Sequence, residues 1–180
     1  MMLPTTLSDG VVTLRPWRSE DAQDVHRMVQ DPEIPRFMSI PSNHTLEGVK
    51  RWLSGRDEGW QAGDDLAFAI ESADDGILLG SAGLEVSSDD PAIGEVGYWV
   101  AAESRGRGIA QRAVALISRW AFDVLELERL EITTHPENLK SQRVAEANGY
   151  RREGVLRAYR GQHGQRIDLV MLARLRDDAT

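Results

Sequence analysis

Cysteine is absent from the 180 residues, which excludes disulfides, thiolate metal sites and a cysteinyl thioester intermediate together. Positive charge is also short: 21 Lys and Arg face 29 Asp and Glu, a net charge of −8 that argues against a general nucleic-acid binder. No aromatic residues interleave with the basic segment Arg105 to Arg107. No stretch approaches the ~20 consecutive apolar residues of a membrane span. Met1 to Thr6 lack the charged and apolar regions of a signal peptide, so a cytoplasmic location is expected. The four histidines (His26, His44, His135, His163) are scattered without HxxxH or HExxH spacing, and no metal site is expected. The GK[ST] of a Walker loop is missing. Gly106-x-Gly108 lacks the third glycine of a dinucleotide fingerprint.

What remains is a chain with 41% hydrophobic residues, long enough to bury one core and cramped for two. One domain is expected over residues 1–180, with its core at about 11–175. Val11 to Trp17 reads as a strand. Ser19 with Glu20 and Asp21 starts a helix that runs to about Gln30. Pro32 to His44 reads as a loop. Thr45 caps a second helix, with Val49, Trp52 and Leu53 on one face. Leu66 to Glu71 and Ile77 to Val86 flank Ala73-Asp74-Asp75-Gly76, the chemistry of a hairpin turn.

Ile93 to Val100 reads as a further strand. It runs into Glu103 to Gly108 and then into an amphipathic helix, Ile109 to about Val124. Leu130 to Thr134 follows as a strand, for which a parallel βαβ unit is the economical arrangement. Asn138 caps a short helix that Gly149 ends. Tyr150 to Arg160 and Arg166 to Arg174 enclose a glycine-bounded hairpin loop. About seven strands and four helices in this order, without internal repeat, predict an α/β domain with a mixed sheet.

The strongest chemical signal is the strand, glycine loop and helix over Ile93 to Val124. Glycines without Cβ atoms let helix N-terminal N–H groups converge on an anion, and Arg105 and Arg107 add positive charge there. The same loop by itself is equally readable as a tight, solvated turn. Gly97 inside a strand points to a bulge or a close backbone approach, or else to packing.

Arg105-Gly106-Arg107-Gly108-Ile109-Ala110 resembles the [QR]-x-x-G-x-[GA] pyrophosphate loop of the GNAT acyltransferases. Gly94 to Val100 looks like the strand that precedes this loop in that family, and His135-Pro136-Glu137-Asn138 with Ser141 resembles the segment opening its last helix. Asn148 to Arg157, followed by Gly164 to Asp168, is similar to the RimJ/RimL-like branch of ribosomal-protein N-terminal acetyltransferases.

The resemblance implies a sheet splayed between the strands Ile93–Val100 and Leu130–Thr134, with the pantetheine arm of acetyl-CoA in the opening. Backbone of Tyr98, Trp99 and Val100 would pair with it. Arg105, Gly106, Arg107, Gly108, Ile109 and Ala110 would hold the pyrophosphate, and Asn138 with Ser141 would line the other side. It also implies direct transfer, without a metal, of an acetyl or longer acyl group such as succinyl to a primary amine. The acceptor is a protein or peptide N-terminus or a small molecule, and a homodimer is compatible with the family.

Glu95 is the candidate base, with a solvated strand carboxylate as the other reading. The tyrosine acid of many family members is replaced by Ala145, so Ser141 is the candidate acid, with a helix-surface serine as the other reading. His135 is a candidate relay or a loop residue, while Tyr150 is read as core. Trp17, Trp52 and Trp60 roof an acceptor pocket or pack the core; Arg157, Arg160 and Arg166 are surface charges or contact an acidic acceptor. The rival function is a CoA-binding sensor or interaction domain on the same scaffold, without turnover.

Overall fold

The computed structural model describes residues 4–38, 45–162 and 164–178. His44, His163 and the end of the loop read from Pro32 to His44 lie outside the described residues. In chain order the elements are β1 (Leu7–Ser8), β2 (Val12–Pro16), a 3-10 turn (Ser19–Asp21), α1 (Ala22–Met28), α2 (Glu33–Phe37), α3 (Leu46–Ser54) and α4 (Arg56–Ala62). There follow β3 (Asp65–Ser72), β4 (Leu78–Val86), β5 (Ile93–Val100), a 3-10 turn (Ala102–Ser104), α5 (Ile109–Asp123), β6 (Arg129–Thr134), α6 (Leu139–Ala147), β7 (Arg151–Gln162) and β8 (Gln165–Leu175).

All seven strands expected from periodicity are present, and the two-residue β1 adds an eighth at the sheet edge. The sheet order is β1-β2-β3-β4-β5-β6-β8-β7. Every neighbouring pair is antiparallel except β5 and β6, which the long α5 crossover makes parallel.

Three helical details depart from the sequence reading. Ser19 does not cap the first helix: it lies inside a 3-10 turn with its hydroxyl on Glu20, and Asp21 accepts the Arg18 N–H instead. The Pro32–His44 segment is not wholly loop, because Pro32 opens the five-residue α2: a proline costs nothing where a helix leaves its first N–H groups unbonded. The helix capped by Thr45, whose hydroxyl accepts from the Gly48 N–H at 3.1 Å, ends at Gly55, and α4 begins anew. Asn138 caps α6 as expected, accepting from Ser141 N at 3.2 Å, and Gly149 beyond its end takes φ +81°. Gly97, by contrast, forms no bulge: it faces Gly83 in unbroken register.

Apolar alternation along the strands fills both faces. On one, α5 and α6 cover Leu14, Phe68, Leu84, Val96, Leu130 and Leu172, joined by Trp60 from α4. Tyr150 is part of this core, its hydroxyl 2.8 Å from Ser118 Oγ, and burial pushes its pKa up to about 12. On the other face α1, α2 and α3 cover Ala67, Ala69, Leu78, Trp99 and Ala101.

One buried ion cluster ties β2 to the turn that starts α1. Arg15, 5% exposed, donates from Nη1 and Nη2 to the two oxygens of Asp21 at 2.8 Å each, and its Nε donates to Glu71. Asp21 also accepts from the Arg18 N–H at 2.8 Å. Truncating one member strands the charge of the others in a dry site, so Arg15→Met is expected to lower the unfolding free energy by about 3–5 kcal/mol. Urea denaturation measures this, and a loss near zero would show that the cluster is solvated.

Candidate active site

The sheet splits in its middle. β5 and β6 pair only through Ile93↔Arg129, Gly94↔Leu130 and Glu95↔Glu131. Beyond that point β5 follows β4 as far as Gly80↔Val100, whereas β6 follows β8 as far as Thr134↔Val170. The slot between the diverging strands connects two cavities that share Val96, Gly97, Tyr98, Trp99, Thr133 and Thr134. One, of about 980 Å³, reaches the N-termini of α5 and α6; the other, of about 570 Å³, opens beneath α1 and α3. Nothing stands within 4 Å of where a Gly97 Cβ would be, so this glycine keeps the slot open rather than bending the strand.

Backbone direction decides which groups face the slot. The Ala101 N–H bonds Leu79 O on the β4 side at 2.9 Å, and strand groups alternate, so the N–H and C=O of Val96, Tyr98 and Val100 point toward β6. Trp99 is set differently from its neighbours: its backbone faces β4 and its side chain is buried in the second core. The Val100 carbonyl already accepts from Arg105 Nε at 3.0 Å.

At the α5 end of the larger cavity, Gly106 (φ +75°) and Gly108 (φ +76°) both take the left-handed conformation, which turns the chain sharply into α5. Both line the large cavity with Ile109 and Ala110, and a Cβ on either would meet open space. The first N–H groups of α5 have no acceptor within the helix and no acidic residue in its first turn competes for them. Arg105 is not a free anion ligand. Its Nη1 donates to Glu33 Oε2 at 2.9 Å and its Nη2 lies 2.5 Å from Asp31 Oδ2, so it braces the loop against α2. Arg107 is exposed beside the loop, and Arg143 of α6, which the sequence reading missed, lines the cavity instead.

Across the same cavity Asn138 and Ser141 line the α6 side. Tyr98 reaches over from β5, its hydroxyl 2.9 Å from Ser141 Oγ and 3.2 Å from the Ser141 carbonyl oxygen. Burial pushes the Tyr98 pKa up to about 12.

In the smaller cavity Glu95 sits at the apex of the split. Arg160 Nη2 donates to its two oxygens at 3.1 and 3.0 Å, and Thr133 Oγ1 donates to Oε1. A carboxylate offers about four lone-pair sites, so Oε2 keeps one for an incoming group. The lateral register continues this position into a row of four carboxylates, Asp65, Glu85, Glu95 and Glu131, on one face of β3 to β6. Three have an arginine each: Arg56 on Asp65 at 2.7 Å, Arg160 on Glu95 at 3.0 Å, and Arg129 on Glu131 at 2.7 Å. The Glu85 carboxylate has no ion pair or hydrogen bond among the described residues. Burial first, and the charge of Glu95 next, raise its pKa.

Neither Thr133 nor Glu85 was singled out in the sequence. Arg160 was, but without its partner, which lies 65 positions away. His135 lines the smaller cavity, its Nδ1 accepting from the Glu137 N–H at 3.3 Å. Of the three tryptophans Trp52 lines this cavity, Trp17 backs it edge-on at 5.2 Å between ring centroids, and Trp60 is core on the opposite face.

Comparison with known proteins agrees with this geometry. The acetyltransferase (GNAT) domain family matches residues 12–151. "Probable N-acetyltransferase YjcK" of Bacillus subtilis is 31% identical over 177 residues, 96% of this chain and 98% of the relative. Mycobacterium smegmatis RimJ, solved in complex with CoA-disulfide, superposes with a TM-score of 0.84 at 29% identity, over 96% of this chain and 86% of that one. The ribosomal-protein-S5-alanine acetyltransferase of Vibrio fischeri has the same fold, with a TM-score of 0.83 at 23% identity over 98% of this chain and 99% of that one. With its split sheet, its glycine loop ahead of α5 and the family match over most of its length, the chain belongs to the GNAT acetyltransferase family, enzymes whose acyl donor is acetyl-CoA.

Proposed function

We propose that this chain carries an acetyl group from acetyl-CoA directly to a primary amine in a ternary complex. The observation that carries this reading is the slot through the sheet, because it joins a cavity suited to an anion with a cavity suited to a cation. Amides of an extended pantetheine arm would meet the slot-facing backbone of Val96 and Tyr98, as an added strand would. The pyrophosphate would lie on the α5 N-terminus between Gly106 and Ala110, with Arg143 facing it from α6.

On the far side the acceptor arrives as an ammonium ion and must lose a proton before it attacks. The free lone pair of Glu95 Oε2 is placed to take that proton, directly or through one water. The amine nitrogen then bonds to the thioester carbonyl carbon, the oxyanion is met by a slot-facing backbone N–H of β5, and the C–S bond breaks. Ser141 Oγ–H gives its proton to the departing sulfur, and solvent in the large cavity restores it. As the C–S bond breaks, the new amide nitrogen loses its second proton to water, so overall the ammonium gives up two protons, one of which is replaced on sulfur by way of Ser141 and solvent and one of which is released. The unpaired Glu85 adds negative charge where the ammonium enters, which supports a peptide N-terminus or a small amine as acceptor.

Calorimetric titration of acetyl-CoA, with succinyl-CoA as comparison, tests the cofactor reading; heat from neither thioester would refute it. Gly108→Trp projects an indole into the groove at a cost of roughly 1–2 kcal/mol for the left-handed backbone. It is therefore expected to fold and to lose acetyl-CoA binding, whereas Gly108→Ala folds and still binds.

Glu95→Gln is expected to lower kcat about 10²-fold or more at unchanged acetyl-CoA affinity. Equal turnover, read as thiol release in an amine panel, would assign Glu95 to structure.

Glu85→Gln tests the surplus charge by stability. The folded pKa of Glu85 lies above its ordinary value of 4.5, so the native state loses stability as pH rises through that range. The variant is expected to melt slightly above the parent at neutral pH. The difference should vanish below 4.5, where the carboxyl is protonated in both states. A constant difference at all pH values would rule out a charge effect.

A further inference from the structure

Ser141 is held from two sides. Its N–H donates to the cap residue Asn138 at 3.2 Å, while its carbonyl and hydroxyl oxygens both face the phenol of Tyr98, at 3.2 and 2.9 Å. It is only 9% exposed, yet it lines the large cavity. Ala145, one helical turn further along α6, is fully buried in the core and brings no hydroxyl to the groove. The one side-chain partner of the serine hydroxyl among the described residues therefore comes from β5, across the slot.

The proton count of this pair is restrictive. Tyr98 has one hydroxyl proton and Ser141 has one, while the Ser141 carbonyl can only accept. If Ser141 donates to the phenol oxygen, the phenol donates to the carbonyl and no proton is left for the groove. If the phenol donates to Oγ at 2.9 Å, the serine proton has no acceptor among the described residues and turns into the cavity. A thiolate appearing there selects the second arrangement, since each hydrogen bond in such a chain polarises the next. The phenol keeps its proton throughout the range in which a thiol titrates, because burial pushes its pKa up to about 12. It is then a constant donor and a poor acid.

We propose that Tyr98 is a positioning residue for Ser141: by donating to Ser141 Oγ it directs the serine hydroxyl at the sulfur of the cofactor and stabilises the thiolate form. The inference rests on the reading of the slot as an acyl-CoA site. It assigns to β5 a part in leaving-group chemistry beyond its backbone pairing.

The test uses CoA itself and needs no acceptor. The chain has no cysteine, so the bound cofactor carries the single thiol in the sample. Its thiolate is followed by ultraviolet difference titration against ligand-free protein, at CoA concentrations set from calorimetry. Wild type, Tyr98→Phe, Ser141→Ala and the double variant are compared. A hydrogen bond to the charged form lowers a pKa, so the bound thiol is expected below the ordinary value of about 8.5. Tyr98→Phe is expected to raise it by about half a unit to one unit, and Ser141→Ala by at least as much. The double variant should match Ser141→Ala, because the phenol acts only through the serine.

An unchanged thiol titration in Tyr98→Phe overturns the proposal. So does an equal shift from Tyr98→Phe in the presence and absence of the Ser141 hydroxyl, which would mean that the tyrosine acts by packing or by its own contact. Failure of wild type to bind CoA refutes the cofactor reading, and this inference with it. Bound CoA whose thiol does not respond to Ser141→Ala refutes the role of Ser141 and of Tyr98, while the cofactor reading stands.

Discussion

The site depends on β5 and β6 being able to pair over three residues and no more. Each strand has a stronger commitment on its other side: β5 is laddered to β4 from Gly94 to Val100, and β6 to β8 from Arg129 to Thr134. Twist accumulates between them, and the sheet opens where no residue is spared to close it. The exposed edge carries the Val96 C=O and the N–H and C=O of Tyr98, groups that a folded protein ordinarily pairs. A sheet that leaves an edge in its own centre is costly by itself and reasonable only if something extended completes it. The peptide-like arm of a CoA thioester has the required amides, so the strand pairing and the cofactor answer the same constraint.

That opening also sorts charge. The α5 N-terminus, left-handed at Gly106 and Gly108, and Arg143 of α6 make one side receptive to phosphates. On the other side the carboxylate row meets three arginines for four acids, with Glu85 left over. The acyl carbon would sit between these environments, close to the Glu95 apex and the Ser141–Tyr98 pair. In the proposed mechanism, proton removal and proton delivery would fall at opposite mouths of one slot, and neither side chain would have to serve both ends of the reaction. Arg105 shows why local charge is a poor guide to ligand contacts. A guanidinium between Asp31 and Glu33 stiffens the loop that presents backbone donors, and the backbone does the presenting.

The sequence made legible what is local. The glycine loop, the caps at Thr45 and Asn138, the Ala73–Gly76 turn and the alternation of the seven longer strands are each set by a few adjacent residues, and all appear as read. Beyond the parallel pairing of β5 with β6, side-chain contacts that need two distant segments were not legible. Nothing near Glu95 in sequence announces Arg160 or Thr133, and nothing near Glu85 announces its missing partner. Gly97 was ambiguous in kind: a missing side chain serves a bend and a vacancy equally well, and only the unbroken Gly83↔Gly97 register distinguishes them. Trp52 and Trp60 show the same limit, since both lie on amphipathic helices yet face opposite sides of the sheet.

The last hairpin shows how distant residues can still be specified firmly. Between Leu156↔Leu169 and Arg160↔Ile167, β7 advances four residues while β8 advances two, and Ala158 takes φ +49°, which a residue with a Cβ adopts only under constraint. The constraint comes from β8: Asp168 accepts from the Ala158 N–H at 2.7 Å, and Arg166 donates to the carbonyls of Ala158 at 2.7 Å and Tyr159 at 3.0 Å. Arg166 and Asp168 belong to the segment that resembles the RimJ/RimL-like branch, and neither reaches Glu95. They act one step earlier, pinning the bulge from which Arg160 extends to the Glu95 carboxylate. Residues of β8 thus bear on which lone pairs of the Glu95 carboxylate stay open, by way of the backbone of the neighbouring strand.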